Sequence, residues 1–103
     1  MKYEITDERI AKLKAQHGRI YALDIEDEDG NSYSAIVKSP DRKTLGAAGA
    51  IAAKDPIKFN EVVLNNAWLE GDEEIKNDDQ LFLAASEQLG KIVSTAQGKL
   101  RKL

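Results

Sequence analysis

The spacing of apolar positions changes twice along the chain and divides it into three segments. In segment 1–18 the apolar residues recur at helical spacing, with Thr6 as a predicted N-terminal cap and Gly18 as the predicted end. Segment 19–38 alternates apolar and polar residues, which is typical of strands, and segment 39–103 returns to helical spacing. The pattern predicts one α+β domain with an N-terminal helix, one antiparallel β-hairpin and a bundle of three to four helices.

The turn of the hairpin predicts the pairing of its strands. A three-residue loop, Glu28-Asp29-Gly30, places glycine at the left-handed position that such loops require. Six residues then fall on one side as facing pairs: Ile25 with Tyr33, Leu23 with Ala35, and Tyr21 with Val37. The other side carries Asp24, Glu26, Ser32, Ser34 and Lys38, with Ile20 and Ile36 as its large apolar exceptions. Because a two-stranded ribbon is marginal alone, it needs helices on its apolar side or another chain along its edge.

Two helices are predicted to follow the hairpin. Ser39 is the predicted cap of the first and Pro40 its first residue, while Asp55 and Pro56 have these roles in the second. The first helix carries a stripe of mostly small residues: Thr44, Leu45, Ala48, Ile51 and Ala52. Small side chains allow a neighbouring element to approach closely.

The helix predicted over 56–69 is apolar on two sides. At steps of ~100°, a broad arc holds Phe59, Val62, Val63, Ala67 and Leu69, interrupted by Asn66. A second row, nearly opposite, holds Ile57, Leu64 and Trp68. Such a helix is either central to the fold or shared with a partner. In the second case the hypothesised protein-binding residues are Ile57, Leu64, Trp68 and Leu69.

The C-terminal third begins with an acidic turn and ends in an amphipathic pattern. Asn77 is a predicted cap, with Gln80 placed to complete a capping box. The apolar stripe that follows is Leu89, Ile92, Val93, Ala96 and Leu100. Ser86 or Gly90 could interrupt it, so this part is either two helices or one bent helix.

The composition of the chain narrows the range of possible functions. The net charge of −3 and pI of about 5.2 disfavour sequence-general binding of nucleic acid. The absence of cysteine excludes disulfides, thiolate zinc sites and thiol catalysis. No apolar run approaches the ~20 residues of a membrane span, and the N-terminus lacks the apolar stretch of a secretory signal. We therefore expect a cytoplasmic protein without a membrane partner.

The sequence contains no recognisable motif for catalysis or cofactor binding. The acidic turn before Gly30 fails the EF-hand pattern, because Ile25 and Ile36 stand where that pattern requires acids. The "GAAG" stretch lacks the lysine and hydroxyl of a phosphate-binding loop. His17 is the only histidine, at a predicted helix end. We expect no enzyme, no cofactor and no metal site.

Residues 19–100 resemble the small phage tail assembly chaperones. The resemblance lies in the order of elements: the hairpin "RIYALDIEDEDGNSYSAIVK", the helix start "SPDR", the break "KDP", the acidic turn "GDEE" and the closing "DDQLFLAASEQLGKIV". It implies a non-enzymatic protein that acts in the bacterial host cytoplasm. Such chaperones bind the tape measure protein, a very long helical client that sets tail length, and help to recruit tail-tube subunits.

Two other functions stay open at this point. One is a self-assembling structural or accessory phage protein, in which the hairpin edge pairs between chains. The other is a small nucleic-acid-binding regulator, which the acidic balance disfavours.

Overall fold

Eight elements follow one another in the computed structural model of the protein, which describes residues 3–52, 54–93 and 100–103. They are α1 (Asp7–His17), β1 (Ile20–Glu26), β2 (Ser32–Lys38), α2 (Arg42–Ala52), α3 (Pro56–Ala67), β3 (Trp68–Gly71), α4 (Glu74–Asn77) and α5 (Asp79–Val93). The strands form one antiparallel sheet in the order β1-β2-β3. The predicted α+β class is confirmed.

Local signals place α1 and the hairpin as predicted. The Thr6 side chain accepts a hydrogen bond from the Arg9 backbone N–H at 3.3 Å, and the chain leaves the helix at Gly18, whose φ is 78°. Gly30 has a φ of 83°, which suits the left-handed position of the loop. The strands pair in the predicted register: Ile25 with Tyr33, Leu23 with Ala35, and Tyr21 with Val37.

The third strand corrects the helix predicted over 56–69. The helix ends at Ala67, and Trp68–Gly71 pair with β2. The pairing of Val37 with Trp68 and of Ile36 with Glu70 leaves Leu69 as the extra residue of a β-bulge. Residues 68 and 69 continue the apolar pattern of α3, so spacing alone assigned them to the helix. Pairing with β2 makes them a strand instead.

Helices pack against both faces of the sheet. Leu23, Ile25, Ala35 and Val37 belong to the main core, together with residues of α2, α3, α4 and α5. On the opposite face Ile36 is only 1% exposed. Helix α1 contacts β1, and its Arg9 bonds to Glu70, the residue paired with Ile36. Helix α1 therefore covers the part of this face around Ile36, which explains why Ile36 is apolar, whereas Ala22 and Asp24 on the same face stay exposed.

Helix α3 packs between α2 and α5 and buries Val63, Leu64 and Ala67. Asn66, which interrupts its apolar arc, has a structural role. Its side chain accepts a hydrogen bond from the Asp41 backbone N–H at 3.2 Å and donates one to the Asp41 carboxylate at 3.4 Å. This pair joins α3 to the beginning of α2.

Aspartates cap the later helices. Asp55 caps α3 as predicted, accepting from the Lys58 N–H at 2.9 Å. The predicted caps Ser39 and Asn77 are wrong by one or two residues, because a neighbouring aspartate performs the same function. The Asp41 carboxylate accepts from the Thr44 N–H at 2.7 Å, and the Asp78 carboxylate accepts from the Leu81 N–H at 3.1 Å.

Helix α5 runs without interruption from Asp79 to Val93, through Ser86 and Gly90. Leu89, in the predicted stripe, is buried, whereas Leu100 is fully exposed. The stripe's other members, the side chains of Ile92 and Val93 and the whole of Ala96, lie outside the described part of the chain.

Candidate functional site

The four hypothesised binding residues do not form one surface. Ile57 is 50% exposed in the first turn of α3, whereas Leu64 is 1% exposed and belongs to the main core. Trp68 and Leu69 are half-buried residues of β3 rather than helical ones. The predicted row is therefore divided between surface, core and sheet, because α3 ends before Trp68 and uses Leu64 for packing.

Trp68 is held by its neighbours. It pairs with Val37 and packs against the core. The Lys76 ammonium lies 4.8 Å from the centre of the indole ring, a cation–π contact. These contacts on the sheet side and above the ring give the half-buried Trp68 side chain a role within the fold.

The helices bring together a different apolar feature, a groove between α2, α3 and α5. It encloses about 190 Å³. Its lining is Leu45 of α2, Phe59, Asn60 and Val63 of α3, and Ser86, Leu89 and Gly90 of α5. Leu45 and Phe59 are half-buried and pack against the core, so each leaves apolar surface open to the groove. We call this feature the α2/α3/α5 groove.

The chemistry of the α2/α3/α5 groove favours apolar occupants. No charged residue lines it among the described residues, and its two polar side chains are Asn60 and Ser86. The Ser86 hydroxyl donates to the Phe82 carbonyl at 3.0 Å, so it is already committed within the helix. A cavity of ~150 Å³ accepts a benzene molecule. The groove is thus large enough for one aromatic or branched aliphatic side chain.

Ile57 extends the apolar surface beyond the groove. It precedes Asn60 by three residues on α3, and residues at that spacing are neighbours on a helix surface. Leu64 is also a helical neighbour of Asn60 but is buried, so Ile57 is the exposed one of the four hypothesised residues next to the groove lining. The signals for the groove in the sequence were Gly90, which leaves space on α5, and Leu45 in the apolar stripe of α2.

A polar cluster joins α1 to β3. The Glu70 carboxylate accepts a hydrogen bond from Arg9 Nε at 2.7 Å, a second from the Arg9 terminal nitrogen and a third from the Tyr3 hydroxyl. The buried Asp72 carboxylate accepts from the backbone N–H of Tyr3 and, at 2.9 Å, from that of Ser34. These bonds satisfy the carboxylates, and the cluster has a structural role.

The Arg9 hydrogen bonds, followed by that of Tyr3, lower the pKa of Glu70 to about 2. Burial and the neighbouring Glu70 raise the pKa of Tyr3 to about 12. In an unfolded chain a glutamate has a pKa of ~4.3. Because the folded pKa of Glu70 is the lower one, the ion pair stabilises the fold above pH ~4.3, and this stabilisation is lost as the pH falls toward 2.

The resulting prediction is that the Glu70→Gln variant loses part of the acid sensitivity of the protein. The free energy of unfolding of the wild type should fall more steeply than that of the variant between pH 5 and 2, as urea titrations at several pH values would show. Glu87→Gln changes an exposed carboxylate of α5 and should keep the wild-type profile. Parallel profiles for the wild type and Glu70→Gln would contradict the assignment.

Other candidate chemistry is explained by structure. The Asp27 carboxylate accepts from the backbone N–H groups of Asn31 and Asp29, both at 2.9 Å, and the Asn31 bond is the main cause of its lowered pKa. Over the described residues, no group of three or more His, Cys, Asp or Glu side chains is placed to hold a metal ion. His17 is an exposed residue at the end of α1. Within the same ranges, every helix is too short or too polar to cross a membrane.

Comparisons with known proteins identify a similar fold. No family model and no curated protein matches the chain. The solved structure of an uncharacterised protein, rbstp2171 from Bacillus stearothermophilus, is similar with a TM-score of 0.65 and 15% sequence identity. The match covers 90% of this chain and 99% of that chain. At this level of identity the likeness shows the fold alone.

Proposed function

We propose that this protein is a non-enzymatic binding protein of the phage tail assembly chaperone type. Its client is an amphipathic helical protein, the tape measure protein of a tailed phage, and the client complex recruits tail-tube subunits. The protein would act in the cytoplasm of the bacterial host, and it would bind neither a cofactor nor nucleic acid. The observation that carries it is the α2/α3/α5 groove, an apolar depression open to the surface.

The groove suits a helical client for a physical reason. A long amphipathic helix exposes an apolar face, and such faces aggregate when they stay uncovered. A groove between helices accepts apolar side chains at helical spacing from a partner helix. Phe59 and Leu45 supply its apolar walls, and Ile57 lies one turn away along α3. The client would place one large side chain in the groove and its next turn against Ile57.

The charge of the protein supports the same function. A net charge of −3 keeps a complex with an apolar client soluble. The same charge disfavours the phosphate backbone of nucleic acid, so the regulator alternative receives no support from composition.

Gly90→Leu tests the groove by filling it. A Cβ at position 90 has no neighbour within 4 Å, so the fold accommodates a larger residue. Leucine also favours the helix by up to ~1 kcal/mol relative to glycine. We expect the variant to be at least as stable as the wild type, and its affinity for the tape measure protein encoded in the same genome to fall by roughly tenfold or more. Co-expression followed by co-purification, and calorimetry with client fragments, measure this loss.

Gly46→Leu is the matched control. Position 46 lies on the exposed side of α2, also with nothing within 4 Å of a Cβ, and it does not line the groove. This variant should keep client binding and should keep the client soluble. Equal binding by both variants would exclude the groove as the client site. Failure of the wild type to bind or solubilise the tape measure protein would exclude the proposed function.

A further inference from the structure

The two edges of the sheet differ in their protection. Strand β3 has four residues, contains the bulge at Leu69 and is bound by Arg9 through Glu70. Short, bulged edges resist pairing with other chains. Strand β1 has seven residues in regular register and contains neither proline nor lysine. No described residue pairs with its outer side. Among the described residues, β1 is therefore the longer and the less protected of the two edges.

The hairpin turn determines which backbone groups point outward at that edge. The Asp27 N–H donates to the Asn31 carbonyl at 2.9 Å, so this pair is a hydrogen-bonded one. Hydrogen-bonded and non-hydrogen-bonded pairs alternate along an antiparallel ladder. The odd-numbered residues of β1 therefore bond to β2, and the even-numbered ones direct N–H and C=O groups outward: Ile20, Ala22, Asp24 and Glu26.

The surface along this edge is open. Three depressions formed by described residues border β1 at its beginning, middle and end, with volumes of about 300, 200 and 360 Å³. The first lies beside Ile20, the second beside Leu23 and the third beside Ile25. Ala22 and Asp24 are exposed. The described side chains around β1 thus leave open surface beside this strand.

We propose that two copies of this chain pair antiparallel through β1, around a two-fold axis at Leu23. The two sheets then join into one continuous sheet, with the seven residues of each β1 paired. In this register Ile20 faces Glu26 of the second copy, Tyr21 faces its Ile25 and Ala22 faces its Asp24. The even-numbered residues meet one another, so every outward N–H and C=O group of β1 gains a partner. Because both copies use the same edge, the assembly closes at two.

Side-chain chemistry favours this register over its neighbours. On the core side, Leu23 meets Leu23, and the Tyr21–Ile25 pairs are apolar and aromatic, which stabilises a ladder. Moving the axis to Asp24 would place two carboxylates directly opposite each other, which is destabilising. Moving it to Ala22 would leave the end of each strand unpaired. The two-fold register at Leu23 also brings Arg19 opposite Asp27 of the second copy.

The Arg19–Asp27 pairs give charge complementarity at both ends of the joined strands. Arg19 is exposed, and Asp27 is half-exposed. Backbone hydrogen bonds from Asn31 and Asp29 stabilise the ionised form of Asp27 and hold its pKa low. Symmetry supplies this pair twice, so one substitution affects two contacts.

Sedimentation equilibrium of the full chain, from micromolar to millimolar concentration, tests the dimer. We expect a concentration-dependent dimer whose Kd rises roughly tenfold or more in Arg19→Glu, because two attractive pairs become repulsive. Ala22→Pro removes one outward N–H and should also yield a monomer. Arg42→Glu makes the same charge change on exposed α2 and should leave the dimer intact. A wild-type monomer at all concentrations, a larger assembly, or a dimer that Arg19→Glu does not weaken would overturn the proposal.

The absence of cysteine provides a direct test of the register. Cα atoms of a hydrogen-bonded pair are ~5.5 Å apart, within the range of a disulfide. Oxidation of a mixture of Ala22→Cys and Asp24→Cys proteins should yield mainly the mixed disulfide, identified by mass spectrometry. Preferential self-linkage of either variant, or no linkage above that of an Arg42→Cys control, would contradict the axis at Leu23.

Discussion

Replacing Gly71 with alanine is expected to lower the free energy of unfolding by about 3 kcal/mol. A Cβ at position 71 would lie 2.4 Å from the Ala35 Cβ, 2.5 Å from the Ala35 Cα and 2.8 Å from the Ser34 carbonyl oxygen. These atoms belong to the central strand, so no side-chain rotation relieves the clash. Either β3 separates from β2 or the central strand moves, and both disturb the core around Ala35, which is fully buried.

Thermal and urea unfolding measure the effect of Gly71→Ala. For a chain of this size, about 3 kcal/mol corresponds to a melting temperature lower by ~12–24 °C. Gly46→Ala is the matched control, because it adds the same methyl group on the exposed side of α2 with nothing within 4 Å. That variant should gain ~0.5–1 kcal/mol from the higher helix propensity of alanine. Equal stability of the two variants would mean that β3 does not pack against β2 as described.

Replacing Leu64 with alanine is expected to destabilise the fold by ~2–5 kcal/mol. Leu64 is 1% exposed in the middle of α3, where it contributes to the main core. Truncation removes apolar contacts and leaves a cavity that the surrounding helices fill only partly. This experiment separates the structural role of Leu64 from the partner-binding role hypothesised from the sequence.

Ile57→Ala is the control for Leu64→Ala, since both substitutions shorten a branched aliphatic side chain of α3. Ile57 is 50% exposed, so its truncation should cost less than ~1 kcal/mol of unfolding free energy. In a client-binding assay the order should reverse, because Ile57 lies beside the groove and Leu64 does not reach the surface. A Leu64→Ala variant as stable as the wild type would contradict the described core.

The parts of the fold that local chemistry determines were predictable. A threonine cap and a glycine end define α1, and Gly30 fixes the hairpin loop and thereby all seven strand pairs. Asp55 with Pro56 specifies the beginning of α3. In each case, residues close in sequence suffice to determine the conformation.

The parts that depend on distant contacts were not predictable from spacing. Trp68 and Leu69 continue the helical pattern of α3, and only their pairing with β2 makes them a strand. The sequence did contain one sign of the missing layer, since Ile36 was apolar on a face that should have been solvated. For the caps of α2 and α5, the sequence offered several adjacent polar residues, and the structure shows that Asp41 and Asp78 accept the capping bonds.

The candidate site was likewise predictable only where it depends on local sequence. The apolar excess of α3 was visible in the sequence, but its division into buried and open parts depends on where α2 and α5 pack. Leu64 is covered, whereas Phe59 contributes to a groove that also needs Gly90 of α5. A surface assembled from three helices has no contiguous signature, so only Ile57 of the four hypothesised residues lies beside it.

The bonds between α1 and β3 determine when α1 becomes fully anchored during synthesis. Arg9 and Glu70 are 61 residues apart, so α1 leaves the ribosome long before its partner does. A helix of eleven residues is marginal on its own. Helix α1 can contact β1 early, but it becomes fully anchored only after β3 has been made, and until then the Ile36 side of the nascent sheet is only partly covered.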